Sequence, residues 1–587
     1  LKISGVEIRL RELGRKLGIT KVHPHKFRRT LATRAIDKGM PIEQVQKLLT
    51  TAYSTGNYGW LCEISSDNII DINSEFYATQ NDGKEIKMHY NLTSYGREDD
   101  EMFNFEPVKS STSSDSPSSI WEGAYNAIAT ANHALQRLDE IKAENNGVES
   151  NDMKAAYAEA YLIRAYHHFI LVNIFSQAYK NDEASKQDVG IPYVTEPGTK
   201  LITKYERGNV TDTYKAIEAD LLAGMERIDA VSFKYPKWHF NANAAHAFAA
   251  RFYLYKRDYD KVIEHANAVL GTDRSTLPSL LMDYSGFDDC VTGVDYAEIW
   301  QGPDQANNLM LIATNSTQFR RAVGYRYATA GRALRAIEFH LGPNWNWYLM
   351  PSANVSGGTF WDGNSDHGFA SAKIYERFEY TDKVSGIGYP HVIRREFTNS
   401  ELLLMRAEAE LLCSRHDVDG CVADLIAYDN SRQSFSESTY NYYSQNGKAM
   451  WPLTKDDILK YYSKPASLNC YENWDFTQNM SPDFIIPQDL TVYMNAINDM
   501  RRYETAYTGL RFFDLKRLGI EYSHDHGIGE VDHDVMAWND KRRAIEVPQE
   551  VLAAGMGSSY EPAKITVTDG VRNEGMCTTA NSYQSNK

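Results

Sequence analysis

Apolar residues recur along most of this chain with the period of a helix. Trp121, Tyr125, Ile128, Leu135 and Leu138 fall at i, i+4, i+7, i+14 and i+17, one stripe of a helix that must pack against neighbours. Residues 154–175 are apolar nearly all round, with Tyr157, Tyr161, Leu162, Phe169 and Val172, which predicts a helix buried between others. A third helix is predicted over 210–228, with Thr211 or Asp212 as its N-cap. Residues 243–270 predict two helices that turn at Lys256-Arg257-Asp258, and 399–413 with 418–428 predict another pair.

Within 243–270, the small residues Ala249, Ala250 and Ala266 alternate with the larger Leu254, Tyr259 and Leu270. This is the spacing of a tetratricopeptide-like repeat. The expected fold class is therefore mostly α, an α-α superhelix of tetratricopeptide-like hairpins near 121–178, 210–270 and 399–428. Between the pairs lie stretches rich in Gly, Asn, Ser, Asp and aromatics, chiefly 56–118, 273–396 and 431–490. Loops beyond roughly 12–15 residues are usually functional or carry small structures of their own. These stretches predict a large, irregular, loop-rich ligand-binding half.

Charge divides the chain near Leu49. Residues 1–49 hold 12 of the 62 Lys and Arg but only 4 of the 78 Asp and Glu, a net of +8 that leaves −24 on the remainder. A basic segment attracts polyanions, whereas a large acidic body repels them, so the two parts are read separately and the main domain is expected to bind no nucleic acid. At 587 residues and 42% hydrophobic content, large cores need no disulfides. The six cysteines (Cys62, Cys290, Cys413, Cys421, Cys470, Cys577) form no CxxC pair and no zinc-like spacing. The best apolar run, 160–175, contains Arg164, His167 and His168, which argues against a membrane span. The sequence opens at Leu1 with no basic n-region, apolar h-region or lipid-accepting Cys, so no signal peptide for export is expected from what is shown. Its 38 Tyr against 22 Phe leave many rings with a polar edge, as binding surfaces require.

Two helices are predicted over 10–17 and 31–49, the second restarting at Pro41 as first helical residue. Between them, His25-Lys26-Phe27-Arg28-Arg29-Thr30-Leu31-Ala32-Thr33 resembles the HxxR box of tyrosine recombinases (phage-type integrases), and residues 37–49 continue the likeness. The resemblance implies that His25 and Arg28 correspond to groups that hold a scissile phosphate. Leu49 then runs into Thr50-Thr51-Ala52-Tyr53, and Tyr53 stands too close to the helix end for the attacking tyrosine. Residues 1–49 are read as the remnant of a recombinase C-terminal part without strand-transfer activity.

Further on, the stretch from Arg395-Glu396-Phe397 through Glu408-Ala409-Glu410-Leu411 resembles the most recognisable helix of the SusD/RagB family. Arg501-Arg502-Tyr503-Glu504, the segment 509–518, and Arg543-Ala544-Ile545-Glu546-Val547-Pro548 are similar to that family's C-terminal segments, in the same order. The resemblance spans about residues 50–587. It implies a non-enzymatic, outward-facing outer-membrane lipoprotein for nutrient uptake, without a cofactor, that binds an oligosaccharide or polysaccharide and delivers it to a SusC-like TonB-dependent transporter.

Pyranose rings carry C–H faces that stack on aromatics, while sugar hydroxyls need amide and carboxylate partners. Gly342-Pro343-Asn344-Trp345-Asn346-Trp347-Tyr348 and the following Phe360-Trp361-Asp362 offer both. Trp345, Trp347 and Trp361 are the expected stacking rings, with Asn344 and Asn346 beside them; Tyr58, Trp60 and Tyr77 form a second candidate set. His524-Asp525-His526 and Asp532-His533-Asp534 have metal-ligand types but no known metal spacing, and read as a solvated polar loop, with no metal site expected. Arg406, Glu408 and Arg511 are expected in internal ion pairs. Two alternatives stand beside the receptor reading: an inactive or silent recombinase–receptor fusion from an invertible locus, and a glycoside hydrolase with a carboxylate pair in the loops.

Overall fold

A computed structural model describes residues 40–74, 91–109, 113–198, 205–228, 233–284, 292–322, 370–432, 452–463, 484–527 and 532–559, with short pieces between them. The helices predicted from residue 121 onward form, as does the end of the one predicted over 31–49, while the predicted helix 10–17 lies outside the described residues; further helices join them. In chain order they are α1 (Ile42–Leu49), α2 (Tyr58–Ile64), α3 (Arg97–Phe103), α4 (Pro117–Glu144), α5 (Asn151–Phe175), α6 (Val210–Met225), α7 (Ala242–Lys256), α8 (Tyr259–Leu270), α9 (Asn399–Leu412), α10 (Val418–Asn430), α11 (Thr491–Thr505) and α12 (Leu510–Leu518). Helices α4/α5, α5/α6, α7/α8 and α9/α10 pack as successive hairpins, with α8 against α9 and α9 against α11. This is the expected mostly α, tetratricopeptide-like architecture.

Local chemistry sets the boundaries. Ser116 caps α4 from the Ser119 N–H with Pro117 in the first turn, and Ser150 caps α5 from the Met153 N–H. The cap of α6 is Asn209, accepting from the Asp212 N–H, and not Thr211 or Asp212 as the sequence pattern led us to expect. Thr211 is buried and donates its hydroxyl to the Asp182 carbonyl, a tertiary contact that the local pattern does not encode. Helix α5 is buried on nearly every side because α4 and α6 flank it. At its crossing with α6, a Cβ on Gly224 would lie 2.7 Å from Leu162 Cγ, so only glycine permits the approach.

Helix α1 packs against α4 and α5. Val45 and Leu49 are wholly buried in the same core as the later helices, and Arg137 Nε donates to the Met40 carbonyl at 2.8 Å. Pro41 is the N-cap and not the first helical residue. Removing two buried methyl groups in Val45→Ala is expected to cost about 2 kcal/mol of unfolding free energy, and a chain started at residue 50 to lose more. Urea denaturation of the variants against the full chain measures both, and an unchanged midpoint for Val45→Ala would show that α1 does not contribute to the core. Tyr53, just beyond α1, donates its hydroxyl to Glu159 Oε1 at 2.7 Å and accepts from the Phe240 N–H. That hydroxyl is spent inside the body.

Much of the stretch between the hairpins is core. Strands β1 (Asn308–Asn315), β2 (Arg377–Asp382) and β3 (Ile387–Thr398) form an antiparallel sheet with β3 in the centre. Strand β3 runs directly into α9, whose N-cap Thr398 accepts from the Glu401 N–H. Beyond α12, β4 (Tyr522–His526) and β5 (Asp532–Met536) pair in register from Tyr522–Met536 to His526–Asp532.

Buried arginines tie these layers together. Arg406 grips Asp424 with Nε and Nη2, Arg517 bridges Glu408 and Asp514, and Arg511 takes both oxygens of Asp67 at 2.8 Å. Burial alone would raise the Asp67 carboxyl, but Arg502 and Arg511 hold it far below the usual range. The internal ion pairs expected of Arg406, Glu408 and Arg511 are therefore present.

Candidate functional site

The sheet leaves one end of the molecule exposed. Strand β2 is its edge, and the β2–β3 hairpin projects with Phe378 46%, Tyr380 53% and Ile387 60% exposed. Residues 378 and 380 share one face of the strand by its period of two, and their rings meet at 4.9 Å, edge to face. Opposite them stands Gly388, where a Cβ would fall 2.6 Å from Phe378 Cε1, so the absent side chain lets the phenylalanine ring lie across the partner strand. On the other face Tyr389 donates to Glu379 Oε2 at 2.9 Å, with His391 next to it. The exposed rings stand on one face of the hairpin, and a carboxylate, a guanidinium (Arg377) and an imidazole on the other; each is a group type that a polyhydroxylated ligand uses.

The base of this end is built by two short elements. Thr359–Phe360 pairs with Ala370–Ser371, and a 3-10 turn at Ala372–Ile374 leads from there into β2. Tyr375 meets Phe319 edge to face at 5.4 Å, and Glu376 pairs with Arg320, whose guanidinium faces solvent. Trp345, Trp347, Trp361, Asn344 and Asn346 lie outside the described residues. The strand Thr359–Phe360, immediately before Trp361, belongs with Ala370–Ser371 to a separate two-stranded sheet and is the described element next to that loop. Sequence reasoning passed over Phe378 and Tyr380, although the alternation Phe378-Glu379-Tyr380 followed by a glycine turn was a visible hairpin signal.

Two other expectations need correction. Tyr58 and Trp60 are core residues, not a second ligand platform: Tyr58 donates to Glu396 Oε1 at 2.9 Å beneath the Arg394 guanidinium, and Trp60 Nε1 donates to Asp99 Oδ1 at 2.8 Å. Their polar edges serve buried carboxylates. Burial pushes the Asp99 carboxyl up to about 6 although Arg321 pulls it down. Tyr77 contributes backbone to the strand Phe76–Thr79, opposite Lys87.

The His524–Asp534 region is a β-hairpin and not a solvated loop. His524 is buried, stacks on Phe103 at 4.1 Å and contacts the Phe103 and Ser66 carbonyls; burial pulls its pKa below the ordinary value. Asp534 is held by Arg542 and Asp525 by His533. Among the described residues no group of three or more His, Cys, Asp or Glu is placed to hold a metal ion. His25 and Arg28 lie outside the described residues.

Residues 43–254 match a family model, SusD-like, described as starch-binding associating with outer membrane. Residues 1–53 match the phage integrase family. No curated protein matches. Among solved structures, a SusD superfamily protein from Bacteroides thetaiotaomicron is 15% identical with a TM-score of 0.52, over 89% of this chain and 100% of that one. One from Bacteroides fragilis is 16% identical with a TM-score of 0.52, over 87% and 97% of the two chains. A third, from Parabacteroides distasonis, is 15% identical with a TM-score of 0.51, over 88% and 98%. At such identities the likeness is one of fold.

Proposed function

We propose that this chain, a body of SusD-superfamily fold behind a phage-integrase-like start, is a non-enzymatic receptor that binds a glycan at the exposed end of its sheet and passes it to a SusC-like TonB-dependent transporter. The observation that carries the reading is the pair of exposed rings, Phe378 and Tyr380, on a projecting hairpin, in a chain whose residues 43–254 match a family described as starch-binding. Rings that cost free energy to leave in water are retained where a ligand covers them. The tryptophan loop, whose neighbouring strand Thr359–Phe360 pairs with the segment that leads into β2, would add Trp345, Trp347 and Trp361 as stacking faces, with Asn344 and Asn346 as amide partners for hydroxyls. The same family description, associating with outer membrane, supports placing the receptor at the outer membrane, where we read it as outward-facing. Among the described residues no helix is long and apolar enough to cross a membrane.

A glycan array probed with the full chain tests the reading, with sugar release from each bound polysaccharide followed in parallel. Binding without release is the expected result; release of reducing ends by the purified chain would make it an enzyme. For a glycan that binds, Phe378→Ala with Tyr380→Ala is expected to weaken affinity about tenfold, the loss of roughly 1–1.5 kcal/mol of ring contact. Titration calorimetry reads this directly, and equal affinity in the double variant would remove the hairpin from the site.

A further inference from the structure

The polar face of the β2–β3 hairpin continues across the sheet. His391, on the central strand β3, stands opposite Arg377 on β2 and opposite Asn315 on β1. A guanidinium, an imidazole and an amide thus form one row over three strands, at the roughly 4.8 Å spacing of neighbouring strands. All three residues are half-buried, and Ala313, two positions from Asn315 on the same face, is exposed. Solvent therefore reaches this face beside the row.

The row holds polar atoms that the fold leaves unspent. Arg377 Nε and His391 Nδ1 are both buried without a hydrogen-bond partner, and among the described residues the Arg377 guanidinium makes only a long bond, from Nη2 to Gln301 Oε1 at 3.4 Å. Among those residues no carboxylate forms an ion pair with Arg377; Glu379, on the same face, accepts instead from Tyr389. Burial lowers the His391 pKa against the pull of Glu379, and Arg377 lowers it further, which leaves a neutral ring that donates from one nitrogen. Farther along the same face of β3, the Arg395 side chain is 4% exposed, its Nη1 has no partner, and its charge is answered by Glu504 at 3.9 Å, a carboxylate already held by Arg432. Two guanidiniums share that one acid, so positive charge is in excess on this side of the sheet. A buried cationic donor without an acceptor costs free energy, which an incoming anionic oxygen recovers.

We propose that the row of Asn315, His391 and Arg377 binds the acidic substituent of a glycan, a carboxylate or a sulfate, with the Arg377 fork as its main anchor. This rests on the glycan-receptor reading and narrows its ligand class to acidic polysaccharides. Strand β2 is the edge of the sheet, so a glycan that crosses it meets Phe378 and Tyr380 on one face and the row on the other. The net charge of −16 on the chain opposes polyanions at long range, but that field is screened beyond about 8 Å at physiological salt, whereas the fork acts in contact.

The full chain is probed on an array of neutral, uronate-bearing and sulfated polysaccharides. The tightest-bound glycan is expected to be acidic, and neutralising it is expected to weaken affinity about tenfold or more in titration calorimetry. Carbodiimide reduction removes carboxylates and solvolysis removes sulfates, so the treatment that weakens binding identifies the group. In Arg377→Gln the acidic glycan and its neutralised form are expected to bind within about twofold of each other, with thermal unfolding verifying that the variant is folded. Arg377→Lys keeps the charge without the fork; it is expected to lose part of the preference, and serves in place of the glutamine variant if that one does not fold. A neutral glycan bound tightest, or an undiminished preference in the Arg377 variants, overturns this inference and leaves the receptor reading standing. An array that binds nothing removes both.

Discussion

Arg251→Ala is expected to lower the free energy of unfolding by about 3–5 kcal/mol, because it strips a buried, hydrogen-bonded cation from two carboxylates. Arg251 is fully buried at 0% exposure. Its Nε and Nη2 reach Glu401 Oε1 and Oε2 at 3.0 and 2.6 Å, and its Nη1 reaches Glu396 Oε1 at 2.7 Å. The guanidinium also lies 4.3 Å above the Phe397 ring. It thereby fastens α7 to the end of β3 and the start of α9. After truncation Glu396 keeps Arg394 and Tyr58, whereas Glu401 loses the cation that answers both of its oxygens. Lysine cannot restore that fork, since an ammonium has no bidentate geometry. Chemical denaturation of the full chain reads the cost as a fall in midpoint at constant slope. Arg251→Met with Glu401→Gln should recover part of the loss, because the uncompensated charge goes with the cation; a single variant as stable as the natural chain would show that the network is not a structural tie.

For whichever glycan the array identifies, Trp345→Ala with Trp347→Ala is expected to reduce affinity about 100-fold, or roughly 2–3 kcal/mol for two stacked rings. Residues 345 and 347 share a face if that stretch is extended, so one pyranose run can cover both. The loop joins the described structure through Thr359–Phe360 on Ala370–Ser371, and its rings are proposed to face a ligand and not the core. Unfolding free energy should therefore stay within about 0.5 kcal/mol of the natural chain, as for surface substitutions in general. A stability loss as large as the affinity loss would instead mean that the tryptophans anchor the loop to the scaffold, and full retention of affinity would remove them from the site.

The helices were legible because each records its own environment. The stripe from Trp121 to Leu138 and the all-round apolarity of 154–175 are local consequences of packing on one face or on all. Arg257, at the predicted turn, takes the left-handed conformation that ends α7. The sheet was hidden because its pairing is non-local. Asn308 lies opposite Thr398, and nothing in either strand names the other. The long stretch between the hairpins was expected to hold binding chemistry, and it is divided: β1 and the end of β3 are buried, while the β2–β3 tip carries exposed rings. Tyr58 and Trp60 were misread for a related reason, since a polar-edged ring looks the same in sequence whether its edge meets a sugar or Glu396 and Asp99.

By itself the sequence determined the period of the helices, the change of charge near Leu49 and the residue types of the buried ion pairs, because each depends on near neighbours or on composition. Only the tertiary structure decided which carboxylate each arginine meets, that α1 on the basic side of that seam packs into the acidic body, and that Phe378 and Tyr380 stand in water while Tyr58 does not. Most of those outcomes depend on contacts between segments far apart in the chain, such as Arg511 with Asp67 and Tyr58 with Glu396, and no periodicity along the chain can record a partner that distant.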